Sequence, residues 1–182
     1  MKEIKLAKIK LLLVTLSLFI SAHFEIAWSA ESAADVANEL APLIGKVRGA
    51  IRTRIESGKG CLPWVVLARN PSDSTTFHDF GFDRDILKEI EDQSAKGIGK
   101  LFTSKAKKDG YESSAVGTCE TDVNRRKSAE LNVINIVIER KNTQPIKFRF
   151  PFELDTGGRV TYLKDGVSIQ PTEPVVFLPV RE

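Results

Sequence analysis

"PIKFRFPFEL", Pro145 to Leu154, puts Ile146, Phe148, Phe150, Phe152 and Leu154 on one side of an extended chain and Lys147, Arg149 and Glu153 on the other. A period of two is the signature of a strand, and strict alternation means one face on a core and one in water. That pattern belongs to antiparallel sheets, because parallel strands are usually apolar on both faces. Pro151 falls on the outward side. Proline cannot donate to a strand ladder, so the strand is expected at a sheet edge or with a bulge at that point.

The neighbours of this stretch read the same way. "AELNVINIVIER", 129–140, alternates with branched residues, and "YESSAVGTCE", 111–120, alternates loosely. "KNTQP", Lys141 to Pro145, is a turn before the central stretch; "DTGG", Asp155 to Gly158, is a turn after it that leads into "RVTYLK". "PTEPVVFLPV" is expected to close the chain as one more extended segment.

Upstream the period changes. Val36, Leu40, Ile44, Val47, Ile51 and Ile55 recur every three or four residues, which predicts a helix over 33–57. Ser32 and Asp35 resemble a capping box, Gly58 sits where a left-handed cap would end the helix, and Pro42 marks a kink or a restart. Lys46, Arg48, Arg52 and Glu56 are expected on a solvated face.

"CLPWVVLAR" then reads as a strand apolar on both faces, with Pro63 at its start. "NPSDS" is a turn, and "TTFHDFGF" a short returning strand. A second helical stretch begins near Asp83, carries Ile86, Leu87, Ile90, Ile98, Leu101 and Phe102, and is expected to break at Gly97 and Gly99 before a basic exit, "SKAKKDG". The fold expected is α+β: two helices packed on one face of a mainly antiparallel sheet. The order is helix, strand, short strand, helix, then a meander of three or more strands.

The first 29 residues have the make-up of a secretory signal. Lys2, Lys5, Lys8 and Lys10 precede the apolar run "LLLVTLSLFI", and Ala27 and Ser29 put small residues at both positions a cleavage site requires. The run is too short to span a bilayer, which takes about 20 apolar residues. The domains expected are therefore a signal peptide over 1–29 and a single α+β domain over 30–182, with no transmembrane anchor after cleavage and a periplasmic or secreted location. The whole chain has 27 Lys and Arg against 24 Asp and Glu; without the first 29 residues the balance is 23 against 22, a net charge of +1. A nucleic-acid partner, which calls for a strongly basic domain, is not indicated.

Cys61 and Cys119 are the only cysteines, and an even pair in an oxidising compartment is expected to form a disulfide. The alternative, Cys61 as a nucleophile with His78 as its base, has no supporting motif. His78, Asp79, Asp83 and Asp85 offer nitrogen and oxygen ligands for a divalent ion. Their spacing fits a turn followed by a helix cap at least as well, since Asp is a preferred N-cap and acids in a first turn suit the helix dipole. On a strand, moreover, His78 and Asp79 point to opposite faces.

Two basic clusters remain, Lys100, Lys105, Lys107 and Lys108, and Arg125, Arg126 and Lys127. Either has the charge to touch an anionic lipid or envelope polymer, although neither is interleaved with aromatic residues. Phosphate loops, serine elbows, paired histidines and paired-cysteine zinc patterns are absent from the sequence. No cofactor is expected. The reading these features support is an exported binding protein, of inhibitor or immunity type, whose partner is a protein or a cell-envelope component. The alternatives are a small hydrolase using carboxylates or an ion around residues 78–85, and a structural part of an envelope assembly.

Overall fold

The protein is seen here as a computed structural model that describes residues 34–124, 129–164 and 167–178. The chain divides into two compact units, 1–36 and 37–182. Of the first, only residues 34–36 are described, and they are helical; the expected signal segment and its boundary at Ser29 lie outside the described residues.

Besides the helical residues 37–39 and a 3-10 turn at Ser74–Thr76, the second unit contains, among the described residues, the helices α1 (Ala41–Glu56), α2 (Arg84–Lys88) and α3 (Ala95–Asp109) and seven strands. These are β1 (Trp64–Ala68), β2 (Phe77–Gly81), β3 (Ser113–Asn124), β4 (Ala129–Arg140), β5 (Ile146–Leu154), β6 (Val160–Tyr162) and β7 (Ser168–Pro171). They form one sheet in the order β2-β1-β3-β4-β5-β6, with β7 also on β5, and every pairing is antiparallel. The fold is the expected α+β arrangement with a strand meander.

Register explains Pro151. Its cross-strand partner on β4 is Val133, and its carbonyl accepts from the Leu163 amide on the other side. The position of a proline's missing N–H is on the same side as its carbonyl, and there β5 changes partner, from β7 at Arg149 to β6 at Phe152. The missing donor falls in the gap between two partners, so neither an edge strand nor a bulge is needed.

The placement of the helices differs from the expectation. A Cβ on Gly117 would strike Val47 Cγ1 and Ile51 Cδ1, so α1 covers the face bearing Gly117. Ile98 and Ala106 of α3 pack instead with Val65, Leu67, Val116 and Val137, which alternate onto the opposite face. The two long helices therefore sandwich the sheet. The physical reason is that the central strands are apolar on both sides: Val65 to Ala68 and Val133, Ile134, Ile136, Val137 and Ile138 are all buried. A single helical layer would leave one of those faces in water.

Local details follow from side-chain chemistry. The turn at Leu40 precedes α1, and Pro42 sits in its first turn, so the proline marks a restart. The buried stripe of α1 is Leu43, Val47 and Ile51, with Ile44 only half-buried. The charged side chains of α1 are not merely solvated: Lys46 pairs with Asp79 at 3.0 Å, and the Arg48 guanidinium lies 5.2 Å from the ring centres of both Phe150 and Tyr162. Gly97 and Gly99 do not break the second helical stretch. The break falls earlier, between Lys88 and Ala95, and the glycines lie inside α3 because its first turn approaches the Asp92 and Val175 backbones too closely for a Cβ. "SKAKKDG" is the last turn of α3, ended by Gly110 at φ 69°. Leu154 does not share the burial of Phe148, Phe150 and Phe152 and is 49% exposed.

Residues 172–178 do not form the final strand that was expected. Val175 and Val176 are buried in the α3-side core, and their amides donate to the Glu139 carboxylate, with 2.8 Å from Val176 N to Oε2. Ser114 Oγ donates to the same oxygen at 3.0 Å. Glu139 is 1% exposed, and burial pushes its pKa up, opposed by these hydrogen bonds.

Candidate functional site

His78, Asp79, Asp83 and Asp85 are not brought together. On β2 the side chain of His78 meets the edge of Tyr111, with ring centres 5.4 Å apart, while Asp79 points to the α1 face and pairs with Lys46. Asp83 is the N-cap of α2 and accepts from the Asp85 and Ile86 amides at 3.1 and 2.8 Å. Asp85 pairs with Lys88 at 2.8 Å. Among the described residues no group of three or more His, Cys, Asp or Glu side chains is placed to hold a metal ion.

Of the first basic cluster, Lys105 pairs with Asp109 at 2.8 Å and lies over the Phe80 ring, while Lys100, Lys107 and Lys108 are exposed along α3. Arg125, Arg126 and Lys127 lie outside the described residues. Cys61 and Cys119 are joined as a disulfide, with Cα atoms 5.9 Å apart. The bond ties the loop before β1 to the outer half of β3.

The arrangement with the chemistry of a binding site was not foreseen from the sequence. Beside the N-terminus of α3 a groove of about 490 Å³ opens against the sheet. Thr118, Asn135 and Arg149 are direct cross-strand partners on β3, β4 and β5, so they form one polar row across the sheet at this place. Thr118 and Asn135 form part of the groove wall, along with Lys147. A second hollow, of about 380 Å³, shares Gln93, Thr118 and Cys119 with the first and continues along Leu62, Pro63 and Leu87. The two make a trough with a polar arm and a more apolar one.

Asn135 is the unusual member. It is 3% exposed, and its Oδ1 is buried with no hydrogen-bond partner among the described residues. Leaving a buried polar group unsatisfied costs about 1–3 kcal/mol. Its face-sharing neighbours along β4, Val133 and Val137, are apolar, while those across the ladder, Thr118 and Arg149, are polar. Thr118 is 7% exposed and makes no side-chain hydrogen bond among the described residues.

The end of α3 supplies further donors. Ser94, the N-cap, accepts from the Gly97 amide at 3.2 Å, and Asp92 accepts from the Ser94 amide at 3.0 Å. The Ala95 and Lys96 amides carry no such partner among the described residues, and both residues line the groove. The charged side chains around them are largely paired. Lys96 holds Glu173 at 2.7 Å and keeps its carboxyl below the ordinary range, and Arg149 holds Glu120 at 3.1 Å. Lys147 has no ion pair among the described residues and is half-buried in the wall. The groove wall thus holds backbone donors at the start of α3, the Lys147 ammonium and an orphaned acceptor on Asn135, and among the described residues no nucleophile stands with a base beside it.

The sequence did carry one signal for this site. Asn135 interrupts "VINIVI", a run apolar on both faces, and a polar residue in such a run is the informative kind of exception. No protein-family model, no curated protein and no solved structure matches the chain.

Proposed function

We propose that this protein is an exported binding protein that recognises its target in the trough between the N-terminus of α3 and strands β3 to β5. The observation that carries the reading is Asn135, a buried carboxamide in the wall of the groove whose Oδ1 has no partner among the described residues. Groups retained against stability cluster where something is bound. Export is supported by the charged and apolar pattern of the first 29 residues and by the Cys61–Cys119 bond, which suits an oxidising compartment. Among the described residues no helix is long and apolar enough to cross a membrane.

The test is site-specific photocrosslinking of the full chain in the cell that makes it. A photoreactive residue is placed at Lys88 or Glu173, on the two arms of the trough, and at Ile169 as a control. Ile169 is 62% exposed and, paired with Phe148, points to the α1 face. Lys88 and Glu173 each hold only an exposed ion pair, so their replacement costs little. A defined adduct from the trough positions and none from Ile169 supports the reading. The same adducts from all three, or none from any, refutes it.

A further inference from the structure

We infer that the polar arm of the trough recognises a neutral secondary amide, the main chain of an extended peptide segment, an inference that rests on the binding reading above and names its ligand. Two side chains in the groove wall have hydrogen-bonding capacity that the fold does not use. A carboxamide carries an acceptor and a donor, and at Asn135, more than nine-tenths buried, neither makes a hydrogen bond among the described residues. Thr118 is its direct partner across the β3–β4 ladder and is also more than nine-tenths buried. Its hydroxyl both donates and accepts, and it is equally unused among the described residues. Because Asn135 has no bond to lose, a half-turn of the carboxamide presents either its N–H or its C=O to the groove without breaking one. The complement of such a pair is a group that donates and accepts side by side, as a peptide group does.

Charge and shape narrow the class. Glu120 and Glu173 are held by Arg149 and Lys96, and the remaining cation of the wall, Lys147, is balanced by Asp92 just outside it, so the groove has no net charge to draw in an ion. The start of α3 adds no call for an anion, since Ser94 caps it and the Asp92 carboxylate already accepts from the Ser94 amide. Lys147 is diagonal to Asn135 on β5 and on the same face, which gives a donor for a ligand carbonyl beside an acceptor for its N–H. The other arm, walled by Leu62, Pro63 and Leu87, takes an apolar side chain. The acetamido sugars of a glycan are the other carrier of a secondary amide. Among the described residues, however, neither hollow has an aromatic ring in its wall for a sugar to stack on, and this favours the peptide.

The test is titration of the folded chain, disulfide intact, followed through its amide spectra. The probes are acetyl-Ala-Leu-Ala methylamide, its counterpart with ester oxygens in place of the N–H groups, the same tripeptide ending in a free carboxylate, and N,N′-diacetylchitobiose. The result expected is a saturable shift of the Asn135 side-chain amide and the Thr118 backbone amide with the methylamide, lost with the ester. N135V, followed at Thr118, weakens binding about five-fold, the worth of one neutral hydrogen bond. T118V, followed at Asn135, is the second variant and serves where N135V does not fold; it weakens binding by a similar factor. No saturable shift with the methylamide, equal affinity for the ester, tighter binding of the free carboxylate or of the sugar, or unchanged affinity in the folded variants overturns the inference. Trough-specific crosslinks with no peptide binding would discard the ligand class alone; loss of the crosslinks as well would discard the binding reading with it.

Discussion

Two glycine-to-alanine changes in helices, G45A and G99A, should move stability in opposite directions. Both glycines lie inside helices, Gly45 in α1 and Gly99 in α3, and in each case alanine gains about 1 kcal/mol of helix propensity. Nothing lies within 4 Å of a Cβ built on Gly45. A Cβ built on Gly99 would stand 2.6 Å from the Val175 carbonyl oxygen and 2.8 Å from the Val175 Cβ, closer than real side chains approach. The obstacle is backbone rather than the tip of a flexible side chain. Residue 175 is also pinned by its amide to Glu139, so it cannot give way without straining a buried carboxylate. Overpacking of this kind costs about 1–3 kcal/mol.

Because the propensity gain is common to both, the difference between the two variants isolates the clash. In a domain of this size 1 kcal/mol is about 2–4 °C in melting temperature, so G45A should rise by about 3 °C and lie about 3–9 °C above G99A. Urea titration should show the same order, with the midpoint moving and the slope constant. If G99A gained as much as G45A, the seating of α3 against residues 172–178 would be wrong, and with it the floor of the proposed groove.

Three other outcomes follow. N135V should stabilise the fold by about 1 kcal/mol in urea titration, because it removes an orphaned acceptor; a loss of stability would mean that the carboxamide is satisfied after all. Replacing Cys61 and Cys119 together by alanine should cost about 4 kcal/mol on the chain-entropy account of a loop 58 residues long, and an unchanged denaturation midpoint would show that the bond does not form. Burial holds the pKa of Glu139 above its ordinary 4.5, so in the folded state the carboxyl keeps its proton to a higher pH than in the unfolded chain. Its contribution to stability is therefore full below pH 4.5 and falls as pH rises through the folded value, and E139Q should flatten that part of the stability curve; identical pH slopes in the two proteins would refute it.

The candidate site was barely legible in the sequence. His78 and its acids are the residue types that do chemistry, yet alternation on β2 splits His78 from Asp79, and Asp83 is consumed by an N-cap. Both facts are local and were available from periodicity and capping rules. The groove is not local. Thr118 and Asn135 are 17 positions apart in the chain and become neighbours only through the β3–β4 register, and the start of α3 comes over them only once the helix is seated against Val175. Glu139 was overlooked for the same reason, since its partners are Ser114 and the amides of residues 175 and 176.

The sequence by itself determined whatever depends on a few consecutive residues. Alternation in 146–154 specified a strand and an antiparallel sheet, the three-to-four spacing specified α1, and Asp83 and Gly110 marked helix ends through their own hydrogen bonding and backbone freedom. Tertiary structure decided which face each helix covers. An amphipathic stripe states that a helix must bury one side, and strands apolar on both sides state that two covers are needed; neither names the partner. That choice is made by close approach and depth, at Gly117 for α1 and at Gly99 for α3, and it leaves a groove with Asn135 in its wall.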